Sequence, residues 1–251
     1  MSRSPSPAAP RPRTDENVFL FAPNLIGYTR VILGAAALTY MPTHPKFCTV
    51  AYCVSALLDA VDGQVARALG QTSKFGAILD MVTDRCMTSC LLCFLASAYP
   101  RAALLFQFLI SLDFSSHYIH MYASISSGSR SHKTVTKEQS WILWSYYNNS
   151  RTLFIFCAAN ELFFVALYVL SNYHKPLLTS LHALPPSLLA LPAPVLKMVL
   201  KTSWPHVVAI LTAPIMVGKQ IINVVQFWKA AKALTEADQE ERYAMQMAKK
   251  Q

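Results

Sequence analysis

The chain has 251 residues, of which 53% are hydrophobic and only 14% charged, with a mean hydropathy of +0.31 and a formal net charge of +9. That composition fits one polytopic membrane domain and excludes an ordinary soluble one. The basic residues are scattered between apolar runs and form no stripe, which excludes a nucleic-acid-binding face.

Residues 1–13 are Ser, Pro, Ala and Arg with no apolar core, and they predict a disordered tail. No apolar run directly follows those basic residues, so no cleaved signal peptide is expected. A membrane crossing needs ~20 mostly apolar residues. Six such stretches occur, at about 23–42, 46–66, 80–99, 102–123, 152–171 and 204–227. The expected fold is therefore all-α, a polytopic membrane protein with six transmembrane helices, the first acting as a signal anchor. Pro42-Thr43-His44-Pro45 and Tyr99-Pro100 mark tight turns. Residues 124–150 are polar and predict a loop, with a short interfacial helix at 141–147 where aromatics favour the headgroup layer. Residues 173–203 are apolar but broken by Pro185, Pro186, Pro192 and Pro194, and predict a re-entrant or interfacial loop on the far side. From Leu234 the chain is charged and helical in character. The expected organisation is a tail over 1–13, a membrane domain over 14–233 carrying the 173–203 insertion, and a projecting tail over 234–251.

Orientation follows from the basic residues. Arg3, Arg11, Arg13, Arg67, Lys74, Arg130, Lys133, Lys137, Lys229 and Lys232 fall on one side of such a topology; Lys46, Arg101, Lys175, Lys197 and Lys201 fall on the other. The positive-inside rule puts both termini and the turn after Arg67 in the cytosol. The sequon Asn148-Asn149-Ser150 is then cytosolic and unused. The six cysteines, Cys90-Leu91-Leu92-Cys93 among them, lie mostly in apolar runs and read as small packing residues, not as a metal or redox site.

The chemistry is concentrated in one place. Seven acidic residues lie between Phe21 and Thr235, and four of them fall within the 26 residues from Asp59 to Asp84. Asp59 and Asp62 are three apart and Asp80 and Asp84 four apart, so each pair occupies one helix face. A turn at Gly70-Gln71-Thr72 would bring the two faces together. Carboxylates ~4 Å apart repel by roughly 4 kcal/mol per pair at an effective dielectric near 20. Hard divalent cations offset that repulsion and also clamp phosphates.

Asp59, Asp62, Gly63, Ala66, Arg67, Gly76, Asp80 and Asp84 fill every fixed position of D-x2-D-G-x2-A-R-x8-G-x3-D-x3-D. On that pattern the chain resembles the CDP-alcohol phosphatidyltransferases. The run from Asp15 through Asn24 to Arg30, with Leu57-Leu58-Asp59-Ala60, Phe75-Gly76-Ala77, Thr83-Asp84-Arg85-Cys86, Tyr146-Tyr147 and Asn160-Glu161-Leu162-Phe163, resembles the branch whose acceptor is myo-inositol. The likeness runs roughly from Thr14 to Leu170, fades over 173–203, and returns in the last apolar segment.

The resemblance implies an endoplasmic-reticulum membrane enzyme with its active site at the cytosolic face and two Mg2+ or Mn2+ ions. CDP-diacylglycerol is the implied donor, myo-inositol the acceptor, and a homodimer the assembly. Asp59, Asp62 and Asp80 are the implied metal ligands. Asp84, at the rim, is implied both as a ligand of the second metal and as the base that takes the acceptor proton. Gly63, Arg67 and Ser73 are implied substrate contacts. Gly63 and Ala66 leave room for a nucleotide, or else for close helix packing. Arg67 reaches a phosphate or anchors the membrane surface. Asn24 either caps the first helix or touches the nucleotide. Asp113 and His117 pair with each other or contact the acceptor. Glu161 is a functional group or caps a polar neighbour. His132, Lys133, Tyr147 and Arg151 are candidates for the acceptor pocket. No serine elbow or H-x-K-x4-D pattern occurs, so direct displacement is expected. Outside this reading stand another acceptor (serine, glycerol phosphate or inositol phosphate), a divalent-cation transporter and a non-catalytic scaffold.

Overall fold

The computed structural model describes residues 16–126, 143, 146, 148–173, 175–177 and 192–249. Every long element among them is a helix: α1 Ala22–Thr39, α2 Pro45–Ala68, α3 Lys74–Ala98, α4 Ala103–Ser126, α5 Ser150–Asn172, α6 Ala193–Lys201 and α7 Trp204–Ala248. Short 3-10 turns precede α1 and α4, at Val18–Leu20 and Pro100–Ala102. Expectations for 1–13, the interfacial helix at 141–147, His132, Lys133 and Tyr147 lie wholly or mostly outside the described residues.

Local signals explain the helix ends. Pro23, Pro45 and Pro205 sit in first turns, where a missing N–H costs nothing. Ser73, Asn149 and Ser203 occupy the N-cap positions of α3, α5 and α7. The α2–α3 turn is closed by Gly70, whose φ is +66°. The Gln71 amide reaches the Ala66 carbonyl at 2.9 Å and the Gly70 amide the Arg67 carbonyl at 3.4 Å, which satisfies the last carbonyls of α2.

The six long helices match the six predicted stretches. The largest differences are that α3 starts at Lys74 and α7 runs on to Ala248. By length and apolar character, three helical segments among the described residues qualify as membrane spans: Pro100–Ser126, Ser150–Asn172 and Trp204–Ala248. The polar residues that α1, α2 and α3 carry lower their hydropathy. The short α6, nine residues and roughly 14 Å, does not reach across a bilayer.

The packing is that of a protein in lipid. Ile32, Leu57, Leu104 and Leu211 point outward, while Arg30, Asp62, Asp113, Lys219, Asn223 and Gln226 are buried. A hydrocarbon surround favours that inversion. Helix α1 packs on α2 and α3; α4 and α5 pack on α7; α3 joins the two groups. The apolar core, which includes Met41, Cys48, Tyr52, Leu92, Leu95, Phe106, Phe164 and Tyr168, fills the end where α1 meets α2 and α3 meets α4. The aspartates occupy the other half. Helix α7 passes from the core at Met216 to Asp113 at Asn223 and Ser116 at Gln226, so its charged extension leaves the bundle at the same end as the Gly70 turn.

A candidate metal and nucleotide site

Asp59 and Asp62 lie on the last turns of α2, Asp80 and Asp84 on the first turns of α3, and the Gly70 turn folds the two faces together as the spacing predicts. Asp59, Asp62 and Asp80 each offer an oxygen, and the three lie within 4.8 Å of one another. Asp84 stands outside that triplet. It is tied to it by Arg30 of α1. Nη1 of Arg30 donates to Asp62 at 2.7 Å and to Asp80 at 2.8 Å; Nη2 meets Asp59 at 2.6 Å and Asp84. The Arg30 side chain is 3% exposed and that of Asp62 10%. Along α3, Asp84 lies one turn beyond Asp80, and its side chain is 31% exposed.

A cavity of about 170 Å³ opens between this cluster and the turn, lined by Asn24, Gly63, Ala66, Arg67, Ser73, Gly76 and Asp80 among others. Gly63, Arg67 and Ser73 are thus brought to one place. A methyl on Gly63 would meet only the Arg67 side chain, at 3.5 Å, and no other helix. Its missing side chain therefore leaves cavity space; it does not serve helix packing. Gly76 is different, since a methyl there would fall 2.6 Å from Asn24 Oδ1. Arg67 is exposed at the cavity edge. Ser73 Oγ accepts from the Gly76 amide at 2.9 Å and fixes the start of α3. Asn24 is not the helix cap, which falls at Phe21. Its Nδ2 donates to the Val18 carbonyl at 2.6 Å, and its buried Oδ1 has no hydrogen-bond partner among the described residues. Gln71 Oε1 accepts from the Ala22 amide at 2.9 Å and pins the turn to α1.

Behind the aspartates runs a buried polar chain. Arg85 approaches Asp84 at 3.6 Å and forks onto both oxygens of Asp113 at 2.7 and 2.8 Å. Asp113 therefore serves Arg85 first; His117 Nδ1 meets its backbone carbonyl at 2.8 Å and its carboxylate only at 3.6 Å. Asn223 donates to Asp113 and to Gln220, and Gln220 donates to Asn160 at 2.9 Å. Glu161 accepts from Tyr52 and from Thr88, each at 2.8 Å, so it is a cap shared by α2, α3 and α5. Arg151 is exposed at the start of α5 and joins none of these groups. Two of the residues missed by sequence reasoning carried a signal: Arg30 is the one charged residue of α1, and Lys219 the one charged residue of α7 before Lys229. An ionisable group inside an apolar helix marks a buried partner.

Fold and site define the class: the chain belongs to the CDP-alcohol phosphatidyltransferase family, which it matches over residues 20–169. It is 54% identical over 235 residues to a Schizosaccharomyces pombe protein named CDP-diacylglycerol–inositol 3-phosphatidyltransferase, covering 92% of this chain and 95% of that one. Proteins of the same name from Homo sapiens and Rattus norvegicus are 40% and 41% identical, each covering 91% of this chain and 97% of their own. No solved structure matches the chain.

Proposed function

We propose that this chain transfers the phosphatidyl group of CDP-diacylglycerol to myo-inositol, giving phosphatidylinositol and CMP. The observation that carries the reading is the joining of a carboxylate cluster to a small cavity floored by Gly63, in a chain similar across nine-tenths of its length to proteins named for that reaction.

The donor set fits hard divalent ions: carboxylate oxygens of Asp59, Asp62 and Asp80 at mutual reach, with Asp84 beside them. Mg2+ or Mn2+ held there, two ions in this reading, would neutralise the pyrophosphate and the departing CMP. The protein's own residues do the rest. Gly63 and Ala66 leave space for the nucleotide against α2, and Arg67 faces its phosphates from the cavity edge. On the same wall Asn24 presents an acceptor with no partner among the described residues, suited to an amino group of the base. The acceptor hydroxyl attacks the phosphorus bearing diacylglycerol, the bond to the CMP oxygen breaks, and Asp84 takes the hydroxyl proton. Asp84 also faces the buried chain of Arg85, Asp113, Asn223 and Gln220, the side from which a polyol would be held.

In this reading all six long helices cross the endoplasmic-reticulum membrane, the site faces the cytosol, and the enzyme works as a homodimer, as its resemblance to the family implies. The test is turnover of purified protein in detergent with CDP-diacylglycerol, Mg2+ or Mn2+ and radiolabelled myo-inositol. Label should enter lipid, and EDTA or Asp84→Asn should abolish it. CMP release with serine, glycerol phosphate or inositol phosphate, but not inositol, would change the acceptor. Ion flux without CMP release would replace the reading by transport.

A further inference from the structure

Four carboxylates converge on a single guanidinium. Arg30 pairs with Asp59, Asp62, Asp80 and Asp84 at once, and its side chain is almost completely enclosed. Nothing about helix packing demands an arginine there, for α1 is otherwise apolar or small around it. Gly27 and Gly34 lie one turn to either side of Arg30, and methyls on them would strike Leu79 and Met87 of α3. Helices α1 and α3 are therefore close on both sides of the point where Arg30 reaches across. Ser55 of α2 donates to the Arg30 carbonyl at 3.1 Å and holds the backbone in register. One fork thus spans aspartates from two helices, and three formal negative charges are left for other cations.

We propose that Arg30 is a tethered counter-ion of the aspartate site, a positioning residue that keeps the four carboxylates converged and shares them with the divalent ions. Removing it leaves a cluster that repels itself, because close like charges in a partly buried site are poorly screened. A divalent ion supplied from solution then takes over its role. The protein thereby becomes dependent on the metal for its fold, and not only for turnover. The claim about charge stands apart from the transferase reading, and its metal arm alone rests on that reading.

Thermal unfolding of the detergent-solubilised protein tests this, with EDTA or with Mg2+ or Mn2+. In EDTA, Arg30→Met should lower Tm by on the order of 5–10 °C relative to wild type. Adding either ion should recover most of that loss in the variant and shift wild type far less. Removing one carboxylate as well, in Arg30→Met/Asp59→Asn, should raise Tm in EDTA above that of Arg30→Met. Arg30→Lys, a point charge without the fork, should fall between wild type and Arg30→Met. If Arg30→Met cannot be purified, the double variant decides. Its recovery with a Tm near wild type supports charge balance, and its failure to fold assigns Arg30 to packing. An unchanged Tm for Arg30→Met in EDTA, or no gain from Asp59→Asn in that background, overturns the proposal. A metal shift equal in wild type and variant, with the EDTA loss intact, removes the sharing of the site and leaves the divalent ions elsewhere.

Discussion

Gly63 and Gly76 sit in one motif and line one cavity, yet their missing side chains do different things. A methyl on Gly63 would enter open space, with its nearest neighbour at 3.5 Å. Alanine is also the better helix former, by up to about 1 kcal/mol. Gly63→Ala should therefore keep or slightly raise Tm while crowding the nucleotide. We expect KM for CDP-diacylglycerol to rise roughly tenfold or more, the scale on which one misplaced carbon discriminates in a fitted pocket. An unchanged KM would mean that the nucleotide binds elsewhere. Gly76→Ala pushes into Asn24 Oδ1 at 2.6 Å and Ser73 Oγ at 3.1 Å. Overpacking of that kind costs about 1–3 kcal/mol, so this variant should lose Tm and activity together. Comparing the two by calorimetry and steady-state kinetics separates space kept for a ligand from space kept for the fold.

At the level of elements, the α2–α3 turn decides whether the two aspartate pairs meet. Its left-handed Gly70 should tolerate alanine poorly, at about 1–2 kcal/mol, and loss of the Ser73 cap should cost about 1 kcal/mol. Both costs are measurable as lower Tm. This turn was legible in the sequence: a glycine after Arg67, a serine three residues on, and carboxylates at helical spacing on each side. The six helices were legible too, because apolar runs bounded by proline and polar residues have few other solutions in lipid. The cross-helix partners were not. Arg30 lies 32 residues from Asp62, and Tyr52 lies 109 from Glu161. Nothing in local spacing links residues so far apart. For Asp113 and His117 helical spacing found a contact, at 2.8 Å to the backbone carbonyl and 3.6 Å to the carboxylate, but not Arg85 on α3, which takes that carboxylate. Glu161 binds three elements through Tyr52 and Thr88. Glu161→Leu would leave both hydroxyls without their acceptor, each at about 1–3 kcal/mol, so it should lower Tm far more than Glu161→Gln, which keeps an acceptor oxygen. Equal Tm values for the two would show that the hydroxyls find other partners.

For the molecule as a whole, the decisive geometric fact is that the Gly70 turn, the start of α1, the start of α5 and the end of α7 share one end of the bundle. Arg67, Lys74, Arg151, Lys229 and Lys232 belong to that end. In the sequence, Arg3, Arg11, Arg13, Arg130, Lys133 and Lys137 precede α1 or fall between α4 and α5. The other end has Lys46, Arg101, Lys175, Lys197 and Lys201. The positive-inside rule counts cations near span ends, and in the proposed topology the aspartate end is the cytosolic one. The 45-residue α7, roughly 68 Å long, exceeds the hydrocarbon thickness about twofold, and its charged stretch from Glu236 to Arg242 stands clear of the bundle. A reporter on that tail therefore reads the side of the catalytic site directly. In sealed microsomes a C-terminal tag should be degraded by added protease without detergent. The Asn148 sequon, at the same end, should carry no glycan and show no mobility change with endoglycosidase. A protected tag together with a glycosylated Asn148 would invert the topology and place CDP-diacylglycerol use on the lumenal leaflet. An exposed tag with a glycan on Asn148 would break the six-span arrangement itself, because the start of α5 and the end of α7 could then no longer share a side.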